Sequence, residues 1–292
     1  MSTEPDSPAR NEPAQEAPAQ RTTVPHPASS GDGRSSTARP RRVLVVVAHP
    51  DDETFGLGSA IATCTQAGYD VTVCCATRGE AGETLVEPPA GSTLGDVREA
   101  ELRAAGDVLG VKQIVLLDFA DSGMTGDLPP GALAGALLDD VVAAVGQVIE
   151  DVQPELVITL DHEYGDHHRD HDMIGSATVA AMRSRPGVPV YLWTVKRSTF
   201  DRFLAQLGEL RPDSDYVAGD AVGMGRPDDH VTTVVDIAAV RHLRERGAAA
   251  HASQPPPWQG MPPEVVEEFL GTDHFVRVQP PWEGGPPETG LP

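Results

Sequence analysis

The sequence predicts an α/β protein, a single domain built on one mostly parallel sheet with helices on both faces. Short apolar runs alternate with stretches in which apolar residues recur every three or four positions, the pattern of parallel strands joined by crossover helices. The first run, Val43-Leu44-Val45-Val46-Val47-Ala48, lacks the polar alternation of a half-exposed strand, as expected where both faces are covered. That run leads directly into His49-Pro50-Asp51-Asp52-Glu53. In open α/β sheets ligands bind beyond the carboxyl ends of strands, so this cluster stands where chemistry gathers.

Residues 1–42 are rich in Pro, Ser, Thr, Ala and Gln and contain no Phe, Trp or Tyr. They cannot bury enough apolar surface to offset their ordering entropy and are expected to be a disordered leader. The remaining 250 of 292 residues are ample for one core. A first strand over 43–48 is followed by a helix over 54–67, with Leu57, Ala60, Ile61 and Cys64 as its buried stripe and Gly68 as its stop. A second strand over 71–76 ends in the Gly-marked loop 77–83, and residues 84–95 read as irregular. Val97, Leu102, Ala105 and Leu109 form the stripe of a helix stopped by Gly110, before a third strand over 114–117. After a polar loop, 118–130, a helix is expected over 133–152 with Leu137, Val141, Val145, Val148 and Ile149 inward. Strand 156–160, the polar cluster 161–172, helix 173–182 and strand 190–194 complete a Rossmann-like βαβα series. Beyond it, a strand over 231–235 and a helix over 237–250 precede Pro255-Pro256-Pro257; a helix over 263–270, a strand over 275–278 and a disordered end follow. This divides the chain into a leader (1–42), a domain (43–254) and a Pro-rich tail with short elements (255–292).

The formal charge is −22, and the leader, with six basic and five acidic residues, contributes none of the negative excess. Such a body repels phosphate backbones, which argues against nucleic acid; the densest basic group, Arg39, Arg41 and Arg42, reads as a solvated flank of the first strand. No apolar stretch reaches the ~18 residues of a membrane span, and the leader lacks a signal peptide's apolar core. Cys64, Cys74 and Cys75 form no C-x-x-C pair and fit packing roles in a reducing cytoplasm.

Two polar clusters carry the chemistry: His49, Asp51 and Asp52, then His162, His167, His168, Asp170 and His171. Imidazole and carboxylate are common ligands of a divalent ion, and a catalytic zinc keeps about three protein ligands with one position open. His49 and Asp52, three residues apart in one turn, can reach a common ion while Asp51 stays free to take a proton from water. The blander alternatives are a helix N-terminus that draws in acidic residues, which does not account for His49, and a solvated His/Asp loop for the second cluster. A dinucleotide-binding loop is the other class: Gly56 and Gly58 follow the first strand, but Ile61 stands where the third glycine of G-x-G-x-x-G belongs.

Ala48-His49-Pro50-Asp51-Asp52-Glu53 resembles the signature of the PIG-L/LmbE-like zinc-dependent N-acetylglucosaminyl deacetylases, which include the mycothiol-type deacetylase and amidase. Thr77-Arg78-Gly79-Glu80-Ala81-Gly82-Glu83, Arg98 with Glu101-Leu102 and Leu109-Gly110-Val111, Asp121-Ser122-Gly123-Met124, and His251 with Ser253-Gln254 are similar to further family segments in the same order, from about Arg42 to about Gln254. The resemblance implies that His49, Asp52 and His171 hold the metal, zinc or alternatively ferrous iron, and that Asp51 is the general base. It implies that His168, oriented by Asp170, assists the intermediate or the leaving amine, and that Arg98 and Asp121 contact substrate. The expected activity is metal-dependent removal of an acyl, chiefly acetyl, group from a small N-acylated amino sugar or related amide. An amidase acting on a mycothiol-type thiol conjugate is the alternative. His168-Arg169-Asp170-His171 departs from the family's His-Pro-Asp-His at Arg169, and Asp166 stands where mycothiol-type members have a Tyr. His167 competes with His168 for the catalytic position.

Overall fold

The computed structural model describes residues 22–25, 40–84, 86–210, 212 and 223–292. Its eight strands are β1 (Thr22–Pro25), β2 (Arg42–Val47), β3 (Asp70–Cys75), β4 (Gln113–Leu116), β5 (Leu156–Leu160), β6 (Val190–Thr194), β7 (Thr233–Asp236) and β8 (Thr272–Gln279). They form one sheet in the order β1-β4-β3-β2-β5-β6-β8-β7. The five central strands, β4 to β6, are mutually parallel, while β1 at one edge and β8 and β7 at the other pair antiparallel. Strand order runs outward in both directions from the β2–β5 pair, so these neighbours flank the switch point where an open α/β sheet leaves a crevice.

The helices are α1 (Asp52–Phe55), α2 (Gly58–Gln66), α3 (Leu94–Leu109), α4 (Leu138–Val152), α5 (Arg169–Met182), α6 (Arg197–Leu210), α7 (Arg241–Ala248) and α8 (Pro263–Gly271). α2, α3 and α7 pack together in one layer, and α4 packs with α5 in another. Between them Val43 to Val47 are buried without exception, which accounts for the uninterrupted apolar run.

Several elements differ from the sequence reading for identifiable reasons. The helix expected over 54–67 is broken into α1 and α2. The buried Arg244 side chain enters the break, donating from Nε to the Thr54 carbonyl at 3.1 Å and from Nη2 to the Phe55 carbonyl, groups a continuous helix would have bonded internally. Its charge is met by Asp273 at 2.8 Å. Gly56 leaves room here for the Trp193 ring, which would lie 3.1 Å from an added Cβ and have to shift. The helix expected from residue 133 starts at Leu138; Leu133–Gly135 is a 3₁₀ turn, and Leu137 precedes the helix 71% exposed rather than facing in. α6 was not anticipated.

The leader and the tail also depart from expectation. Thr22–Pro25 adds a strand beside β4; the rest of 1–39 lies outside the described residues. The division at Gln254 does not separate units, because β8 inserts between β6 and β7. The end expected to be disordered is tied to the same sheet: Glu288 accepts from Tyr191 Oη at 3.0 Å and Thr233 Oγ1 at 2.8 Å, and its backbone bonds Thr232 and Val234. Among the described residues no helix is long and apolar enough to cross a membrane, and all three cysteines are buried and outside any disulfide.

Candidate active site

Both polar clusters fall at the switch point. His49 to Asp52 follow β2, and Asp161 to His171 follow β5 and enter α5. The Asp52 carboxylate folds back so that Oδ2 accepts from the Ala48 and His49 backbone N–H groups at 3.1 and 2.8 Å, which fixes the turn. His49 Nδ1 lies 3.2 Å from His171 Nε2, His171 Nε2 lies 3.3 Å from Asp52 Oδ1, and His49 Nδ1 lies 3.8 Å from Asp52 Oδ2. Tetrahedral coordination with bonds of about 2.0–2.1 Å has edges of about 3.3 Å, so these donors suit one ion. His168 joins the group: ligand atoms of His49, His168 and His171 lie within 4.8 Å of one another.

The carboxylates around the cluster draw positive charge into it. Burial opposes protonation of His49, yet hydrogen bonds to Asp121 and Asp170 and the charge of Asp52 raise it to about 9. His171, likewise desolvated, is raised well above its ordinary value by Asp166 and Asp52. Asp52 is held below the usual carboxylate range, its burial outweighed by His171 and His49. The same field favours a divalent cation.

His49 and His171 are each oriented from behind by a carboxylate, an arrangement that fixes tautomer and ring direction. His49 Nε2 meets Asp170 Oδ2 at 3.2 Å and Asp121 Oδ1 at 3.4 Å. His171 Nδ1 meets Asp166 Oδ1 at 2.9 Å. The expectation that Asp170 orients His168 is therefore corrected. The Asp170 carboxylate is fully buried and turned toward His49, Ser122 N and Ala134 N, and what it offers His168 is its backbone N–H, donated to Nδ1 at 3.2 Å. Asp121, expected at the substrate, borders the cavity while largely buried beside His49, and accepts from Ala81 N and Gly123 N. Sequence reasoning missed Asp166, whose link to His171 depends on the loop path; the backbone of His167 is left-handed at φ 59°. His167 is exposed, whereas the His168 ring sits 4.5 Å from His49 and 4.9 Å from His171, centroid to centroid.

Asp51 stands beside the donor set at φ 117°. It makes no helix-capping side-chain bond, so a helix terminus does not account for it. Burial raises its pKa to about 6 against the pull of Arg98. Arg98 Nη2 donates to Asp51 Oδ2 at 2.8 Å and to the Pro50 carbonyl at 2.5 Å, and Nη1 donates to the Gly79 carbonyl at 2.6 Å. Arg98 thus borders the cavity but is engaged in holding Asp51 rather than reaching outward. Glu53 Oε2 accepts the Asp51 backbone N–H at 2.8 Å, and Oε1 lies 2.6 Å from His251 Nε2, a fully buried pair. These groups open onto a cavity of about 460 Å³ bordered at its polar end by His49, Asp51, Asp52, His168 and His171.

A family model described as GlcNAc-PI de-N-acetylase (PIG-L) matches residues 44–182. A 1D-myo-inositol 2-acetamido-2-deoxy-alpha-D-glucopyranoside deacetylase from Rhodococcus erythropolis is 34% identical over 270 residues, covering 82% of this chain and 92% of the relative. The chain belongs to the PIG-L family. Its fold is shared with an N,N'-diacetylchitobiose deacetylase from Pyrococcus horikoshii at a TM-score of 0.55 and 21% identity, covering 81% of this chain and 83% of that one. It is also shared with GalB, the 4-carboxy-2-hydroxymuconate hydratase from Pseudomonas putida, at a TM-score of 0.54 and 20% identity, covering 84% and 99%. PIG-L membership and the site's own geometry, not the fold alone, must therefore carry any statement about reaction.

Proposed function

We propose that the protein is a metal-dependent N-deacetylase that removes an acetyl group from a small N-acylated amino sugar. The observation that carries this reading is the convergence of His49 Nδ1, His171 Nε2 and the Asp52 carboxylate beside a separate, partly buried Asp51. His49, Asp52 and His171 would hold the ion, zinc by default, with ferrous iron suited to the same donors. When bound, such an ion supplies Lewis acidity for the acyl oxygen and acidifies water to a pKa of about 7.

Asp51, ionised at neutral pH with a pKa near 6, takes a proton from the attacking water and returns it to the departing nitrogen, so that water and amide become acetate and amine. Arg98 and Glu53 keep its carboxylate and backbone fixed through this exchange. Burial, the largest cause, lowers His168 to about 4, so in this reading it is a neutral donor. With Nδ1 accepting the Asp170 N–H, its proton resides on Nε2, from which it donates to the oxygen that gains charge. The three buried cysteines, none in a disulfide, agree with action in a reducing cytoplasm.

Metal content and acetate release from N-acetylglucosaminyl substrates test the assignment. Wild type is expected to hold about one ion per chain and to turn over. Asp51→Asn should keep the ion and lose at least about a hundredfold in kcat, the scale of general-base catalysis. His171→Ala should lose ion and activity together. Metal binding without acetate release in wild type would remove the substrate assignment, and failure to bind any divalent ion would remove the mechanism.

A further inference from the structure

The cavity continues past the polar cluster into a wall of different chemistry. Trp193 and Val195 at the end of β6, Phe200, Phe203 and Leu207 on α6, and Phe269 on α8 border it. The spacing of the three α6 residues places them on one helical face, and Phe203 meets Phe269 at 5.3 Å between ring centroids. The chain holds only 6 Phe, 3 Trp and 4 Tyr, yet four of the six wall residues are aromatic. None carries a charge or a hydroxyl. Thr194 and Tyr164 border the same cavity, but these six side chains offer a polyol's hydroxyls no hydroxyl or charge to bond and reward burial of carbon. The wall and the polar cluster border one cavity.

We propose that the substrate carries, besides its N-acylated amino sugar, an apolar substituent of several carbons, and that this wall is the subsite that selects it. The inference rests on the deacetylase reading and deepens it: the Rhodococcus relative is named for a substrate with an inositol group, whereas this wall fits an alkyl or aryl group. The substituent has two possible attachments, the glycosidic oxygen or the acyl carbon, and the same chemistry serves both.

The test uses the full chain loaded with zinc and compares kcat/KM for N-acetylglucosamine, its octyl glycoside and N-octanoylglucosamine, reading released carboxylate. One of the octyl compounds should exceed N-acetylglucosamine by about ten- to a hundredfold, the gain from burying roughly two to four methylenes. Which one does so identifies the attachment. Val195→Thr, a near-isosteric change that adds one hydroxyl, and Phe269→Ala should each bring that ratio toward one. Equal kcat/KM for all three compounds would overturn the subsite and leave the deacetylase reading standing. If none is hydrolysed, the deacetylase reading falls. Octyl glucoside, which has no amide, then decides the subsite below its micelle concentration. A saturable change in tryptophan fluorescence, weakened about fivefold or more in Val195→Thr, supports it, and no binding overturns it.

Discussion

Asp51 sits at φ 117°, a region that costs a non-glycine residue about 1–3 kcal/mol unless its surroundings impose it. Here they do: Glu53 holds its N–H, Arg98 its carboxylate, and the Thr54 and Phe55 N–H groups its carbonyl. Asp51→Asn keeps an acceptor for Arg98 and a residue type tolerant of positive φ. Its unfolding free energy in urea is expected within about 1 kcal/mol of wild type. Asp51→Val adds backbone strain and leaves a buried guanidinium unpaired, an expected loss of about 3 kcal/mol or more. His274 offers a pH-dependent counterpart away from the cluster. Burial, aided by Lys196, lowers it to about 4, below its ordinary 6.5. The unfolded chain therefore binds the extra proton between these values, so the stability is present above about 6.5 and lost as pH falls toward 4. The loss is on the order of 2 kcal/mol, and His274→Asn should flatten unfolding free energy over that window. His49, Asp51 and Asp52 were legible in sequence because an imidazole and two carboxylates crowded at the end of an apolar run serve no packing purpose. Which carboxylate faces which imidazole was not legible, since Asp166 and Asp170 owe their partners to a loop turning through a left-handed His167.

At the scale of elements, the sequence reading succeeded where a stripe or run was long and uniform, as in β5 and β6. It failed where a distant side chain intervened, as Arg244 does between α1 and α2. It missed α6 although Phe200, Phe203 and Leu207 have helical spacing, Ser198 and Thr199 stand near its start and Pro212 lies just beyond its end. Arg169, the departure from the family motif, has a structural task. It opens α5 and donates to the carbonyls of Ser122, Gly123, Thr125 and Gly126, pinning the loop that carries Asp121. Proline is tolerated at a helix's first position, so Arg169→Pro is expected to keep α5 while freeing that loop. Hydrogen exchange should accelerate over residues 122–126, and kcat/KM should fall severalfold, by about 1 kcal/mol of barrier, as Asp121 and Ser122 lose their register behind His49 and Asp170. Unchanged exchange would remove this role for Arg169.

At the scale of the molecule, a net charge of −22 is a repulsive load on the compact state. Raising NaCl from about 10 to 200 mM screens it and is expected to increase Tm by a few degrees at fixed metal occupancy, read by scanning calorimetry. The α/β class and its parallel centre follow from local pattern, but the strand order and the antiparallel margins do not; Thr22–Pro25 and Thr272–Gln279 pair with strands far away in sequence. A fragment ending at Gln254, where the family resemblance stops, is accordingly expected to be insoluble.

The insertion of β8 between β6 and β7 also sets a timetable for synthesis. A ribosome that has delivered both polar clusters has not yet delivered the strand that joins β6 to β7. Until residues 272–279 emerge, the nascent protein presents β6 as a bare hydrogen-bonding margin, open to other strands and to chaperones.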